Sequence, residues 1–275
     1  MHSPRSLSAL AVASVFALLS ILQCNAYALS VNGRYLLKVD ETLLNTGSHD
    51  LDFDGSTWHV AQTLTGAWST YDASFGFLGE TSISGVGDLR GLAYSSALNQ
   101  LVVLDQDTGI VRFVNPDGAV TGRIRTGAPA TEGMDIDDRD STLWLTRFEG
   151  SVEKWSFSGE LLFSFDARSL LPTNDELQSV AVDPDTNGLF VFTNSDDLFE
   201  FSMDGTLRGQ LLTDAFPSSL PGVRDNGLGI HYDAPSKTLR LTSQGGDLYT
   251  YALIPEPSSV ALALLTLVSL ATFRH

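Results

Sequence analysis

The chain has 275 residues, 43% of them hydrophobic, with 16 basic and 33 acidic side chains and a formal charge of −17 at pH 7. That balance argues against nucleic acid, whose phosphates would be repelled, and favours cations, basic partners or solubility at a cell surface. The length accommodates one large domain or two ordinary ones.

The first 28 residues read as a signal peptide. Met1 to Arg5 is short and basic, Leu7 to Leu22 is apolar, and Ala26-Tyr27-Ala28 places small residues at both positions that a signal peptidase reads. Cys24, the single cysteine, leaves with that peptide, so the mature protein forms no internal disulfide and its stability rests on packing. With Arg5 in the leader and Arg274 in the tail, the body keeps 14 basic residues, whereas all 33 acidic ones lie between Leu29 and Pro257, a net charge of −19.

Next comes an isolated strand pattern, Arg34 to Leu44, followed by five segments that can be laid over one another. Their starts read Asp50-Leu-Asp-Phe-Asp, Gly91-Leu-Ala-Tyr, Gly133-Met-Asp-Ile-Asp, Ser179-Val-Ala-Val-Asp and Gly227-Leu-Gly-Ile-His, at intervals of 41, 42, 46 and 48 residues. Such a period suits a four-stranded propeller blade. Each start alternates like a half-buried strand, and a second strand follows a polar turn, as in Leu101-Val-Val-Leu and Leu189-Phe-Val-Phe. The third strand closes on an aromatic in every copy: Tyr71, Phe113, Trp155, Phe201 and Tyr251. An aromatic at one fixed place in a repeated strand is most simply a wedge between neighbouring blades. Pro116-Asp117-Gly118, Ser158-Gly159 and Asp204-Gly205 then mark tight hairpins. Asp166 to Leu177 and Thr213 to Pro221 read as the loops that lengthen the later intervals.

The fifth copy stops at Leu253 after three strands, so Arg34 to Leu44 is the spare that closes the ring and caps both edges. The expected fold is all-β, one five-bladed propeller over 29–253. A six-bladed ring with a degenerate blade around Leu29 to Ser48, and an open sandwich, are its rivals.

The residues leading into the five inner strands, His49, Arg90, Glu132, Gln178 and Asn226, converge in this fold at one mouth of the central channel, beside the loops joining second and third strands. They are the candidate ligand-binding residues. Asp105, Asp107, Asp196 and Asp197 occupy second-to-third-strand loops of that mouth, where their oxygens are the candidate ligands for Ca²⁺, a hard cation. No other cofactor is expected. The acidic run from Asp135 to Asp140 falls toward the opposite mouth. Nucleophilic catalysis has little to work with: there is no Gly-x-Ser-x-Gly, and only His49, His59 and His231 remain after processing, the last two reading as structural.

The chain ends in three parts: Pro255-Glu256-Pro257, an apolar run from Val260 to Phe273, and Arg274-His275. Fourteen helical residues span about 21 Å, short of the roughly 30 Å hydrocarbon core, so the run suits a transient anchor held by Arg274 on the cytoplasmic side. This ending resembles the PEP-CTERM sorting signal of Gram-negative exoproteins, with a single arginine where the family usually has several. The resemblance covers 254–275, with the membrane helix at 258–273. It implies that an exosortase-type enzyme, after signal peptidase, handles the chain near Glu256, between Pro255 and Pro257. It also implies passage through the inner membrane to the cell surface or the extracellular space.

The function expected from these features is a non-enzymatic binding or structural propeller of the extracellular matrix, with an exopolysaccharide or a small ligand as partner. The alternative is a Ca²⁺-dependent extracellular hydrolase acting on a phosphate ester or lactone at the channel mouth. The inner-strand openings resemble those of six-bladed extracellular hydrolase and lactonase propellers, which is what puts that alternative in play.

Overall fold

The computed structural model describes residues 31, 33–127, 130–212, 215 and 227–255. The leader with Ala26 and Ala28, the loop residue Asn226, and the tail with Glu256, Pro257 and Arg274 lie outside the described residues. No helix among the described residues is long and apolar enough to cross a membrane.

Twenty strands form five four-stranded antiparallel sheets. The chain first lays down β1 (Arg34–Leu43). Blade one is β2 (Ser48–Phe53), β3 (Trp58–Gln62), β4 (Ala67–Tyr71) and β5 (Phe77–Ser82). Blade two is β6 (Leu89–Ser95), β7 (Gln100–Asp105), β8 (Ile110–Val114) and β9 (Val120–Arg125). Blade three is β10 (Thr131–Asp137), β11 (Thr142–Arg147), β12 (Ser151–Ser156) and β13 (Leu161–Asp166), followed by a 3₁₀ turn at Arg168–Leu170. Blade four is β14 (Leu177–Asp183), β15 (Gly188–Thr193), β16 (Leu198–Ser202) and β17 (Leu207–Leu212). Blade five is β18 (Gly227–Asp233), β19 (Thr238–Ser243) and β20 (Asp247–Pro255), completed by β1.

The N-terminal strand therefore closes the ring: Arg34 faces Pro255 and Leu43 faces Asp247 across an antiparallel ladder. Five separate sheets dispose of both the six-bladed ring and the sandwich. The last strand runs two residues past the expected limit at Leu253, so Pro255 belongs to the body, on its exposed rim.

Burial follows from the radial arrangement. The first two strands of blade four are buried throughout, whereas the outermost strands β5 and β13 are largely exposed. The core is five clusters, each shared by two neighbouring blades. Phe190 and Phe192 of blade four pack with Ile230 and Leu239 of blade five, and Leu44 and Leu248 pack with Leu51 and Trp58 of blade one. Tyr71, Phe113, Phe201 and Tyr251 are buried and Trp155 half-buried, as wedges demand. Each such side chain contributes on the order of 2 kcal/mol through apolar burial.

Inner strands crowd at the axis, and this sets their small residues. A Cβ on Gly91 would lie 2.7 Å from Met134 Cβ, and one on Gly133 would lie 2.5 Å from Ser179 Cα. Where Asp50 breaks that pattern, its carboxylate is put to use, accepting from Leu51 N at 3.0 Å and, across the blade interface, from Leu92 N at 3.1 Å. The run from Asp135 is likewise structural. Asp135 accepts from Val182 N at 2.6 Å, Asp137 pairs with Arg139 at 2.8 Å, and Asp138 accepts from Ser95 Oγ at 2.7 Å, tying blade three to its neighbours.

Candidate functional site

Each inner strand begins with a break in its ladder. Pairing skips His49 between Ser48 and Asp50, Arg90 between Leu89 and Gly91, and Gln178 between Leu177 and Ser179; in blade three the break spans Glu132 and Gly133. A bulge leaves its extra residue unpaired and re-aims the side chain, here toward the mouth. In blade five the skipped residue is Leu228, between Gly227 and Gly229. Gly229, not Gly227, therefore occupies the position equivalent to Gly91 and Gly133, and a Cβ on it would meet Asp50 Cα at 2.7 Å. The fifth mouth position is apolar Leu228, and Asn226 precedes it outside the described residues.

Three of the expected residues join in one network. Arg90 donates Nε to Asp88 Oδ2 at 2.9 Å and Nη1 to Glu132 Oε2 at 3.0 Å. Arg90 Nη1 also meets His49 Nε2 at 2.5 Å, while His49 Nδ1 lies 3.1 Å from the Arg90 carbonyl oxygen. A guanidinium keeps its protons, so Nε2 is the acceptor and Nδ1 carries the hydrogen. Complete burial, and then the charge of Arg90, push the His49 imidazole down to about 3. It is a neutral brace for Arg90. Burial raises the Glu132 carboxyl above its ordinary value against the opposing pull of Arg90 and of Gln106, whose Nε2 donates to Oε1.

Above this network lies a cavity of about 350 Å³, within the roughly 300–1,000 Å³ of small-ligand sites. Arg90, Glu132, Gln178 and Leu228 line it from the inner strands, and Thr63, Gln106, Phe148 and Gln244 from loops joining second to third strands. Those loop residues were hidden by the sequence pattern. Gln106 sits between the two aspartates picked as cation ligands, and only the position just after the second strand hinted at it.

The cation candidates do not converge. Asp105 accepts from Thr108 Oγ1 at 2.6 Å and Arg112 Nη1 at 3.1 Å, bracing its own hairpin, and Asp107 beside it is exposed. Asp196 and Asp197 are buried in the β15–β16 turn, in a blade that is not adjacent. Among the described residues no group of three His, Cys, Asp or Glu side chains is placed to hold a metal ion.

Deeper in the channel, His231 Nδ1 stands 2.7 Å from Asp52 Oδ1, joining blade five to blade one. Burial, and then the charge of Asp52, raise the nearby Asp135 carboxyl to about 7, and burial raises Asp50 well above the usual range. These carboxylates receive backbone N–H groups of the neighbouring inner strands, as with Tyr94 N to Asp52 Oδ2 at 2.5 Å. His59, hydrogen-bonded to Asp54 at 2.9 Å, and His231 are thus both structural partners.

No family model matches the chain, and no curated protein matches it. Among solved structures it is similar to glutaminyl cyclase from Myxococcus xanthus, with a TM-score of 0.64 and 14% identity over 80% of this chain and 97% of that one. It is also similar to a catalytically inactive variant of virginiamycin B lyase from Staphylococcus aureus with quinupristin, with a TM-score of 0.49 and 13% identity over 75% of this chain and 66% of that one. At 14% identity the likeness to the glutaminyl cyclase establishes the propeller fold and carries no chemistry with it.

Proposed function

We propose that the chain is an exported cell-surface or extracellular-matrix protein, delivered through its PEP-CTERM tail, and that its propeller is a non-enzymatic binding module with its ligand seated in the mouth cavity. The leader and the three-part tail support the export half of this reading. One observation carries the binding half: Gln178 lines the cavity, is only 6% exposed, and has a buried Oε1 without a hydrogen-bond partner among the described residues. Buried amide oxygens are ordinarily satisfied, so the wall lacks a donor that a ligand can bring.

The test has two parts. A panel of sugars, amino acids and small amides is screened at millimolar concentration against the thermal unfolding of the purified chain. A bound ligand raises the midpoint, since it binds only the folded state. Replacing Gln178 by Leu should abolish that rise, and a panel without effect sinks the binding reading. Separately, in a host with the sorting enzyme, mass spectrometry of the C-terminal peptide should find the tail removed after the Pro-Glu-Pro segment. Glu256→Ala should hold the full-length precursor in the inner membrane. Recovery of intact Val260 to His275 on the extracellular form overturns the sorting reading.

A second reading, turnover of a phosphate ester or lactone at the same mouth, has one feature in its favour: the Glu132 carboxyl, raised by burial, lines the cavity and could carry a proton. Its two oxygens, however, are already taken by Arg90 and Gln106. Thermal unfolding in millimolar Ca²⁺, together with an assay of p-nitrophenyl phosphate and a simple lactone, separates the two. No shift and no hydrolysis remove the enzyme reading.

A further inference from the structure

The mouth holds hydrogen-bonding capacity that the protein leaves unused. Arg90 spends Nε on Asp88 and Nη1 on Glu132 and His49, so among the described residues both hydrogens of Nη2 remain uncommitted. Gln106 donates Nε2 to Glu132 and keeps its Oε1. Gln178 Oε1 and Thr63 Oγ1, on the same wall, have no partner among the described residues. Donors and acceptors thus line one cavity, with Arg90 and Gln106 both braced by Glu132.

Two further properties narrow the class of occupant. Phe148, 38% exposed, and Leu228 give part of the wall an apolar face. The charge of Arg90 is already paired with Glu132 and Asp88, and the chain around it carries a net charge of −17, so an anion is disfavoured. A uronate or phosphate would enter against that field.

We infer that the mouth is a subsite for a neutral pyranose ring, a proposal that rests on the reading of this cavity as a ligand site. Sugar hydroxyls both donate and accept, so one ring can accept from Arg90 Nη2 and donate to Gln106 Oε1 and Gln178 Oε1. Its C–H face lies against Phe148, as an apolar surface beside an aromatic ring. An amino acid zwitterion or a simple amide supplies fewer groups and no such face.

The test uses the purified full-length chain and four probes: methyl β-D-glucopyranoside, N-acetylglucosamine, sodium glucuronate and N-acetylglycinamide. Saturation-transfer NMR reports contact and titration gives the dissociation constants. Expected is binding of the two neutral sugars, with glucuronate weaker by about tenfold, equivalent to about 1.4 kcal/mol. Phe148→Ala and Gln178→Leu should each weaken the sugars at least about fivefold while circular dichroism stays unchanged; Phe148 sits on the rim, so its variant folds independently of the Arg90 network. Stronger binding of glucuronate or N-acetylglycinamide, lost in the same variants, overturns the sugar assignment and leaves the mouth a ligand site. Sugar binding that survives both substitutions places the sugar elsewhere and also overturns the inference. Silence from all four probes overturns it together with the binding reading on which it rests.

Discussion

Arg34, the first residue of the closing strand, donates Nη1 to Asp183 Oδ2 at 2.9 Å across 149 residues of chain. The same guanidinium lies 2.9 Å from Glu200 Oε2, and both carboxylates are fully buried. A strand that completes blade five is thereby clamped to blade four, so ring closure is ionic as well as backbone-to-backbone.

Removing one member of a buried ion pair strands the other charge, at a cost of roughly 3 kcal/mol. Arg34→Met should therefore lower the unfolding midpoint by about 6–12 °C in a body of this size. Asp183→Asn in the same background should cost much less than it does alone. Calorimetry on the two single variants and the double variant checks this, and strictly additive losses would show that the pair is not coupled.

Deleting residues 29–44 removes β1 and with it the whole ladder from Arg34–Pro255 to Leu43–Asp247. The exposed edge of β20 is then a template for other chains. Loss of cooperative unfolding and association on size-exclusion chromatography are expected. A monomer with unchanged cooperativity would refute closure as a source of stability.

Asp135 sets a pH dependence whose sign can be worked out. Its folded value of about 7 stands above the ordinary 3.8, so between those values the folded protein holds a proton that the unfolded chain has released. The contribution of Asp135 to stability falls as pH rises through that window, by at most about 1.4 kcal/mol per unit, and levels off above it. Asp50 acts in the same direction. His49, pushed down to about 3, acts in the opposite sense up to its ordinary 6.5, so the readout is the difference between proteins: in urea unfolding at pH 4.5, 6 and 7.5, Asp135→Asn should gain stability relative to the wild type as pH rises. An equal pH dependence in the two proteins would mean that Asp135 titrates normally in the fold.

The crowding at the axis can be tested with a methyl group. Gly133→Ala drives a Cβ to 2.5 Å from Ser179 Cα, which is backbone and cannot swing away. Overpacking of this kind costs about 1–3 kcal/mol. Gly79 on outer strand β5 has nothing within 4 Å of its added Cβ, so Gly79→Ala should stay within about 0.5 kcal/mol of wild type. Chemical denaturation of the pair decides it; equal effects would deny that the inner strands are in tight contact.

Five blades as the favoured count, the strand order and the closing role of Arg34 to Leu44 were legible in the amino-acid sequence. Each is written in local terms: an alternation within five or six residues, a recurring aromatic such as Tyr71 or Phe201, and a copy that stops one strand short. The mouth was legible in part, because His49, Arg90, Glu132 and Gln178 follow from where inner strands begin. What the sequence could not determine was register within that repeat. Gly227-Leu228-Gly229 looks like Gly91-Leu92-Ala93, yet the ladder puts Gly229 opposite Thr242 and turns Leu228 to the mouth. A slip of two keeps every side chain on its face, so alternation cannot detect it, and only the contact of Gly229 with the Asp50 backbone selects one register. The partners were likewise decided by the tertiary structure. Asp50 finds Leu92, Asp135 finds Val182 and Arg90 finds both His49 and Glu132, each in another blade about forty or more residues away, because the ring brings together what the chain keeps apart.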